Sequence, residues 1–189
     1  MICVGEVISL LKERFTQDRY RHSLGVAKEA ERLARREGLD EEKAYLGGLL
    51  HDYAKGLDEE ELRRLGRLSS WDIDDDELAM PELLHAPAGA YLVQQELGVK
   101  DPEIIEAIRY HTIGSPTMGK LAVIIYIADY IEPNRDFPGV ENARGEVEKG
   151  IVPGIITITS NLIKYNIDRG RLIHPNTLLL RNAYLRRTT

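Results

Sequence analysis

Thiols are nearly missing from this chain, whose 189 residues include one cysteine, Cys3. A single thiol near the start cannot close an internal disulfide, which suits a reducing compartment and argues against thiolate catalysis. Net positive charge is missing too. A formal charge of −6 at pH 7 opposes a broad basic face, and basic and aromatic side chains do not interleave, so no nucleic-acid partner is expected. The longest apolar run, Leu121 to Ala128, is far too short to cross a bilayer, so no membrane partner is expected either. The opening Met1-Ile2-Cys3-Val4-Gly5-Glu6 has no basic region leading into an apolar segment and cleavage site. The expected protein is therefore soluble and cytoplasmic. Acidic residues gather at Asp58-Glu59-Glu60-Glu61 and from Asp72 to Glu77, as in solvated loops or first helical turns. No glycine follows where a calcium loop needs one.

What the chain does have is helical periodicity almost throughout, over a length that fits one domain, residues 1–189, with one core. Val4, Val7, Ile8 and Leu11 mark a short helix; Val26, Ala30, Leu33 and Ala34 mark a second that stops near Gly38 and holds His22 in its first turns. Asp40-Glu41-Glu42 starts a third, with His51-Asp52 in its last turn. A charged helix at about 58–66 leads into a loop near Trp71, after which Pro81 opens a helix toward Leu97-Gly98 that contains His85. Asp101-Pro102-Glu103 caps a helix that delivers His111. Leu121 to Ile131 is apolar nearly all round and predicts the central buried helix, where an acid at Asp129 demands a partner. Asn134 to Arg144 reads as an ordered loop. The β-branched residues from Ile155 to Thr159 favour strand locally, but a helix from near Pro153 to Arg169 suits the chain better, with a last helix after His174-Pro175.

The chemistry lies in an ordered series: His22, His51-Asp52, His85, His111 and Asp129. Neighbours on a helix point about 100° apart, so His51 and Asp52 cannot share one buried face. Each member of the series lies beside residues that read as buried, where an unpartnered polar group costs roughly 1–3 kcal/mol. Any one of these histidines alone reads as an ordinary core or capping residue. The set together points to a shared metal.

The order His, His-Asp, Asp resembles the HD-domain superfamily of metal-dependent phosphohydrolases, and His85 and His111 match the longer pattern of its binuclear members. Further stretches are similar to the YqeK-type symmetrical diadenosine-tetraphosphate hydrolases: His85-Ala86-Pro87-Ala88-Gly89-Ala90, Arg109-Tyr110-His111-Thr112, Ile127 to Pro133, Phe137-Pro138-Gly139 and Pro175-Asn176-Thr177. The resemblance covers roughly residues 6–185. It implies an all-α, single-domain HD-type helical bundle with its metal-ligand core at about 18–132 and C-terminal helices at 145–187 completing it.

The activity so implied is hydrolysis of diadenosine tetraphosphate to two ADP, with one or two iron ions, or manganese or another divalent metal, on His22, His51, Asp52 and Asp129. Such an ion acidifies water and steadies charge on phosphoryl oxygen. By position, His85, His111 and Thr112 would face the phosphates alongside Asp52 and Asp129, Gly25 would allow close approach, and Arg135 would pair with phosphate. Gly170, Arg171, Leu172, Ile173, His174 and Pro175 would wall the base or ribose. Lys55 would hold a phosphate oxygen or leaving group, or else be a solvated charge past a helix end, while Arg109 points toward a salt bridge instead. The chain departs from the family pattern at Ser115, where arginine is expected, at Leu84, where tryptophan is expected, and at Pro153-Gly154. Two other readings are an HD-type phosphohydrolase of mononucleotides or cyclic dinucleotides and a non-catalytic nucleotide- or metal-sensing module. The apolar helices could also support a homodimer.

Overall fold

Aspartates open many of the helices. In the computed structural model, which describes residues 3–188, the side chains of Asp40, Asp58, Asp74 and Asp101 each accept a backbone N–H in the first turn that follows. The helices are α1 (Val4–Arg14), α2 (Gln17–Glu37), α3 (Glu41–Leu50), α4 (Glu59–Leu68), α5 (Asp75–Ala79), α6 (His85–Leu97), α7 (Pro102–Tyr110), α8 (Lys120–Ile131), α9 (Val140–Lys149), α10 (Ile151–Asp168) and α11 (Pro175–Leu185). No strand occurs among the described residues, so the stretch from Ile155 to Thr159 is helical. The residues at the two ends of the expected domain, Met1, Ile2 and Thr189, lie outside the described residues. No helix among those described is long and apolar enough to cross a membrane.

α8 runs through the middle, with Leu121 to Ala128 buried, and α2, α3 and α7 pack around it. Removing each such Ile, Leu or Val from water contributes about 1.5–3 kcal/mol. The crossing of α2 and α3 depends on Gly48, where a Cβ would lie 2.6 Å from the Ala27 Cα. That close approach brings His22, near the start of α2, against His51 at the end of α3. α9, α10 and α11 close the far side, α10 lying against α8, α9 and α11.

Four local expectations change. Pro81 opens only a single 3₁₀ turn, Pro81–Leu83, and the helix begins at His85, so Pro87 falls in its first turn, where a missing N–H costs nothing. The acidic run after Trp71 is not all loop: Asp75–Ala79 forms α5, and Glu77 is buried against Arg109. The stretch from Asn134 turns helical at Val140 after Gly139, whose φ is 94°. The chain breaks at Gly150, φ 146°, so Pro153 falls in the first turn of α10 and interrupts nothing.

Candidate metal centre

Asp52 occupies the first turn beyond α3 and is 3% exposed. Its two oxygens face different histidines. Oδ2 lies 3.4 Å from His51 Nε2 and 3.8 Å from His22 Nε2, whereas Oδ1 lies 3.1 Å from His85 Nε2 and 3.5 Å from His111 Nε2. Asp129 Oδ1 joins the first side, 3.1 Å from His22 Nε2 and 3.8 Å from His51 Nε2.

The far side of each ring decides what these nitrogens can do. His51 and His111 donate from Nδ1 to the carbonyls of Gly48 and Ile108, both at 2.7 Å, and His85 donates to the Glu82 carbonyl. His22 donates from Nδ1 to Glu132 Oε1 at 3.1 Å. Carbonyls and carboxylates only accept, so each ring carries a proton on Nδ1, and the neutral form of each then presents an Nε2 lone pair. Yet the His22 and His51 Nε2 atoms are 3.2 Å apart and those of His85 and His111 are 3.0 Å apart. Lone pairs that close repel unless a cation lies between them. Ligands about 2.1 Å from one ion stand roughly 3 Å from each other, so the donor set fits a metal. Two groups of donors among the described residues lie close enough together to hold an ion, His22 with His51 and Asp129, and His51 with Asp52 and His111.

The electrostatics agree. Burial pushes the Asp52 carboxyl up, but charge on His51 and hydrogen bonds from His111, His51 and His85 outweigh it and hold the group well below the usual carboxylate range; with the rings neutral, a cation among them would supply that charge instead. Burial likewise opposes the ionisation of Asp129, but His22, His51 and Arg135 outweigh it and hold its carboxyl well below that range. Burial first, then His111 and Lys55, push His85 down to about 4 against the pull of Asp52, which keeps the ring in its ligating neutral form at neutral pH. Arg19 caps Asp52 Oδ2, and Arg135 reaches Asp129 Oδ1 at 2.5 Å. Glu132, 1% exposed, is held in turn by the Asn134 backbone N–H and Nδ2 at 2.7 and 2.8 Å.

A cavity of about 810 Å³ opens from this centre toward α10. Lys55, His85, His111, Thr112, Asp129 and Arg135 line its polar end. Tyr126, Tyr130, Phe137, Ile158 and Leu162 form an apolar wall, with Tyr130 and Phe137 edge to face at 5.0 Å. Lys164, Tyr165 and Arg169 form the rim, the Arg169 guanidinium lying 4.0 Å from the Tyr165 ring centre. A polar, cationic end joined to an aromatic wall suits an anionic ligand that carries a flat ring.

The HD-domain family model matches residues 19–134, which hold every candidate metal ligand described above. The chain belongs to the HD-domain family. This HD-domain protein is 43% identical over 183 residues to a symmetrical bis(5'-nucleosyl)-tetraphosphatase of Halalkalibacterium halodurans, covering 96% of each chain. It is 41% identical to the protein of the same name from Bacillus subtilis, covering 94% of this chain and 95% of the relative. A crystal structure from Clostridium acetobutylicum, described as a predicted HD superfamily hydrolase involved in NAD metabolism, superposes with a TM-score of 0.94 at 37% identity over 99% of both chains.

Within this HD-domain site, His22, His51, Asp52, His85, His111 and Asp129 converge, and Lys55, Thr112 and Arg135 line the cavity beside them. Lys55 is not a solvated charge: it is half-buried, its Nζ 3.3 Å from His85 Nδ1, and burial pushes its pKa down against the pull of Asp52. Gly25 does not face the cavity. A Cβ there would strike Glu132 Oε2, so the glycine makes room for the carboxylate that orients His22.

The segment from Gly170 to Pro175 lies outside the cavity lining, which ends at Arg169. Gly170 is the left-handed turn after α10, φ 61°, and Arg171 stands 5.8 Å from the Tyr165 ring centre. Leu172 and Pro175 are exposed and Ile173 is half-buried. His174 turns away altogether, accepting the Asn176 N–H at Nδ1 and donating from Nε2 to Asp74. The arginine-to-serine and tryptophan-to-leucine departures are both buried, Ser115 bonding Thr117 at 3.2 Å and Leu84 lying wholly in the core. Sequence reasoning missed Arg19, Glu132 and the wall on α8 and α10. Arg19 precedes His22 by three positions and Glu132 follows Asp129 by three, a spacing that could have flagged both.

Proposed function

We propose that this metal-dependent HD-domain phosphohydrolase cuts diadenosine tetraphosphate symmetrically into two ADP. The observation that carries the reading is the Asp52 carboxylate shared between two pairs of facing Nε2 atoms at the cationic end of an aromatic-walled cavity. His22, His51, Asp52 and Asp129 would hold iron, with manganese or another divalent ion able to replace it, and His85 and His111 would hold a second ion or the phosphates. A bound ion would lower the pKa of water and neutralise charge on phosphoryl oxygen.

The chain's own residues do the rest. Lys55 and Arg135 face the polyphosphate, and Arg135 exchanges its grip on Asp129 for a phosphate oxygen as ligand enters. Lys55, 3.3 Å from His85 Nδ1, would donate a proton or a hydrogen bond to the departing ADP oxygen. Thr112 bonds the same phosphate chain. The base lies along Tyr130 and Phe137, and of the 170–175 segment Arg171, beside Tyr165, would reach it from the rim. We place the enzyme in the cytoplasm and propose a homodimer.

The test is incubation of iron-loaded protein, purified without oxygen, with diadenosine tetraphosphate, followed by chromatography. ADP as sole product, absent with His51→Ala, is the expected result. ATP plus AMP would place the attack at another phosphorus, and no turnover with metal bound would overturn the reading.

A further inference from the structure

Three carbonyls of one turn converge on a single side chain. Arg144, in α9, donates from Nε to the Ile131 carbonyl at 2.9 Å, and from Nη2 to the carbonyls of Glu132 at 2.7 Å and Arg135 at 2.9 Å. Its remaining arm, Nη1, is held by Glu141 one turn back. Helix α8 ends at Ile131 because Pro133 has no N–H to continue it, which leaves carbonyls of the last turn in need of other donors.

The turn so gripped carries Glu132 and Arg135, whose side chains run to two different candidate ligands. Glu132 Oε1 meets His22 Nδ1 at 3.1 Å. Arg135 reaches Asp129 twice, from Nη2 to Oδ1 at 2.5 Å and from Nε to the Asp129 carbonyl at 3.0 Å. The Arg135 N–H also bonds the Glu132 carbonyl at 2.9 Å, so that oxygen serves both arginines. Arg144 does not line the large cavity; with Ile131 and Pro133 it lines a separate cleft of about 350 Å³. It can therefore act on the site only through the turn. A lysine could cap one of these carbonyls, but the planar guanidinium fork bonds all three at once and so fixes residues 131, 132 and 135 relative to one another.

We infer that Arg144 is a positioning residue for the metal centre and its phosphate-binding arginine: by holding three carbonyls of the turn together it sets where Glu132 meets His22 and where Arg135 meets Asp129. The inference rests on the proposed roles of His22 and Asp129 as metal ligands and of Arg135 as a phosphate-binding group, and adds to them a residue that touches neither metal nor phosphate.

Arg144→Ala and Arg144→Lys are to be compared with Val147→Ala, which loosens the same helix where Val147 packs on Gly154, away from the turn. Calorimetric titration with manganese(II), then of the manganese-loaded protein with pyrophosphate, beside thermal melts, tests the role. The expected result is roughly tenfold weaker manganese binding in Arg144→Ala, weaker pyrophosphate binding with it, partial recovery of both in Arg144→Lys, and wild-type affinities in Val147→Ala despite its lower Tm. Equal losses of affinity in Val147→Ala would reduce the effect to general stability and overturn the inference, as would wild-type affinities in Arg144→Ala. Full recovery in Arg144→Lys would show that charge alone suffices and overturn the role of the fork. Because binding needs no turnover, wild-type protein whose manganese and pyrophosphate affinities depend on Arg144 but which leaves the dinucleotide uncut would sink the cleavage reading and not the positioning. Wild type that binds no manganese would sink both.

Discussion

The Nδ1 of His22 lies 3.1 Å from Glu132 Oε1, across the join between α2 and the end of α8. Burial pushes the Glu132 carboxyl up, but His22 and both Asn134 donors outweigh it, so the group stays an ionised acceptor. It fixes the His22 proton on the side away from Asp129. Glu132→Ala should therefore lower metal affinity about 10–100-fold, with the fold intact by circular dichroism. Metal content after dialysis against a graded chelator measures it, and unchanged retention would show that Glu132 does not orient the ligand.

Arg109 and Glu77 form a bidentate pair, 2.7 Å on both arms, with both side chains almost fully buried. Removing one partner leaves the other charge buried alone. Arg109→Met should cost about 3–5 kcal/mol of stability in a urea titration, because Glu77 loses its counter-charge. The metal centre uses neither residue, so metal content per folded molecule should match wild type.

Tyr53 donates to Glu96 at 2.7 Å, and burial, then Glu96, pushes its pKa from 10.0 to about 12. The folded state thus keeps a proton that the unfolded chain releases near the ordinary value. The stability this gives is whole below pH 10 and is lost as pH rises toward 12. Thermal melts from pH 9 upward should show a falling Tm, and Tyr53→Phe should flatten the fall. An equal slope in the variant would remove Tyr53 as a cause.

His174 ties two helix starts together, accepting from Asn176 N at 3.2 Å and lying 3.0 Å from Asp74 Oδ2. His174→Ala should cost about 1 kcal/mol, as lost caps do, and leave ADP affinity unchanged by calorimetry. Weakened ADP binding with an unaltered Tm would instead return His174 to the nucleotide site.

The helices around the metal ligands could be read directly because their signals are local. Asp40 and Asp101 sit where caps belong, Gly38 ends α2 with φ 68°, and the apolar run of α8 could only be a buried helix. The acid at Asp129 and the adjacent His51-Asp52 announced a metal by their burial in such surroundings. Boundaries failed where proline and glycine allow several outcomes, as at Pro81 and Gly150.

Chain order alone determined the fold class, the ligand types and the family resemblance, since periodicity, capping and motif spacing are properties of neighbouring residues. Tertiary structure alone decided three things. It turned every Nδ1 outward, so that the Nε2 atoms face each other across Asp52; it assigned Gly25 to Glu132 and His174 to Asp74; and it built the cavity wall from α8 and α10. Each of these joins residues far apart in the chain, such as His22 and Glu132 or Asp74 and His174. Such contacts are set by how whole helix faces pack, and no local propensity encodes them.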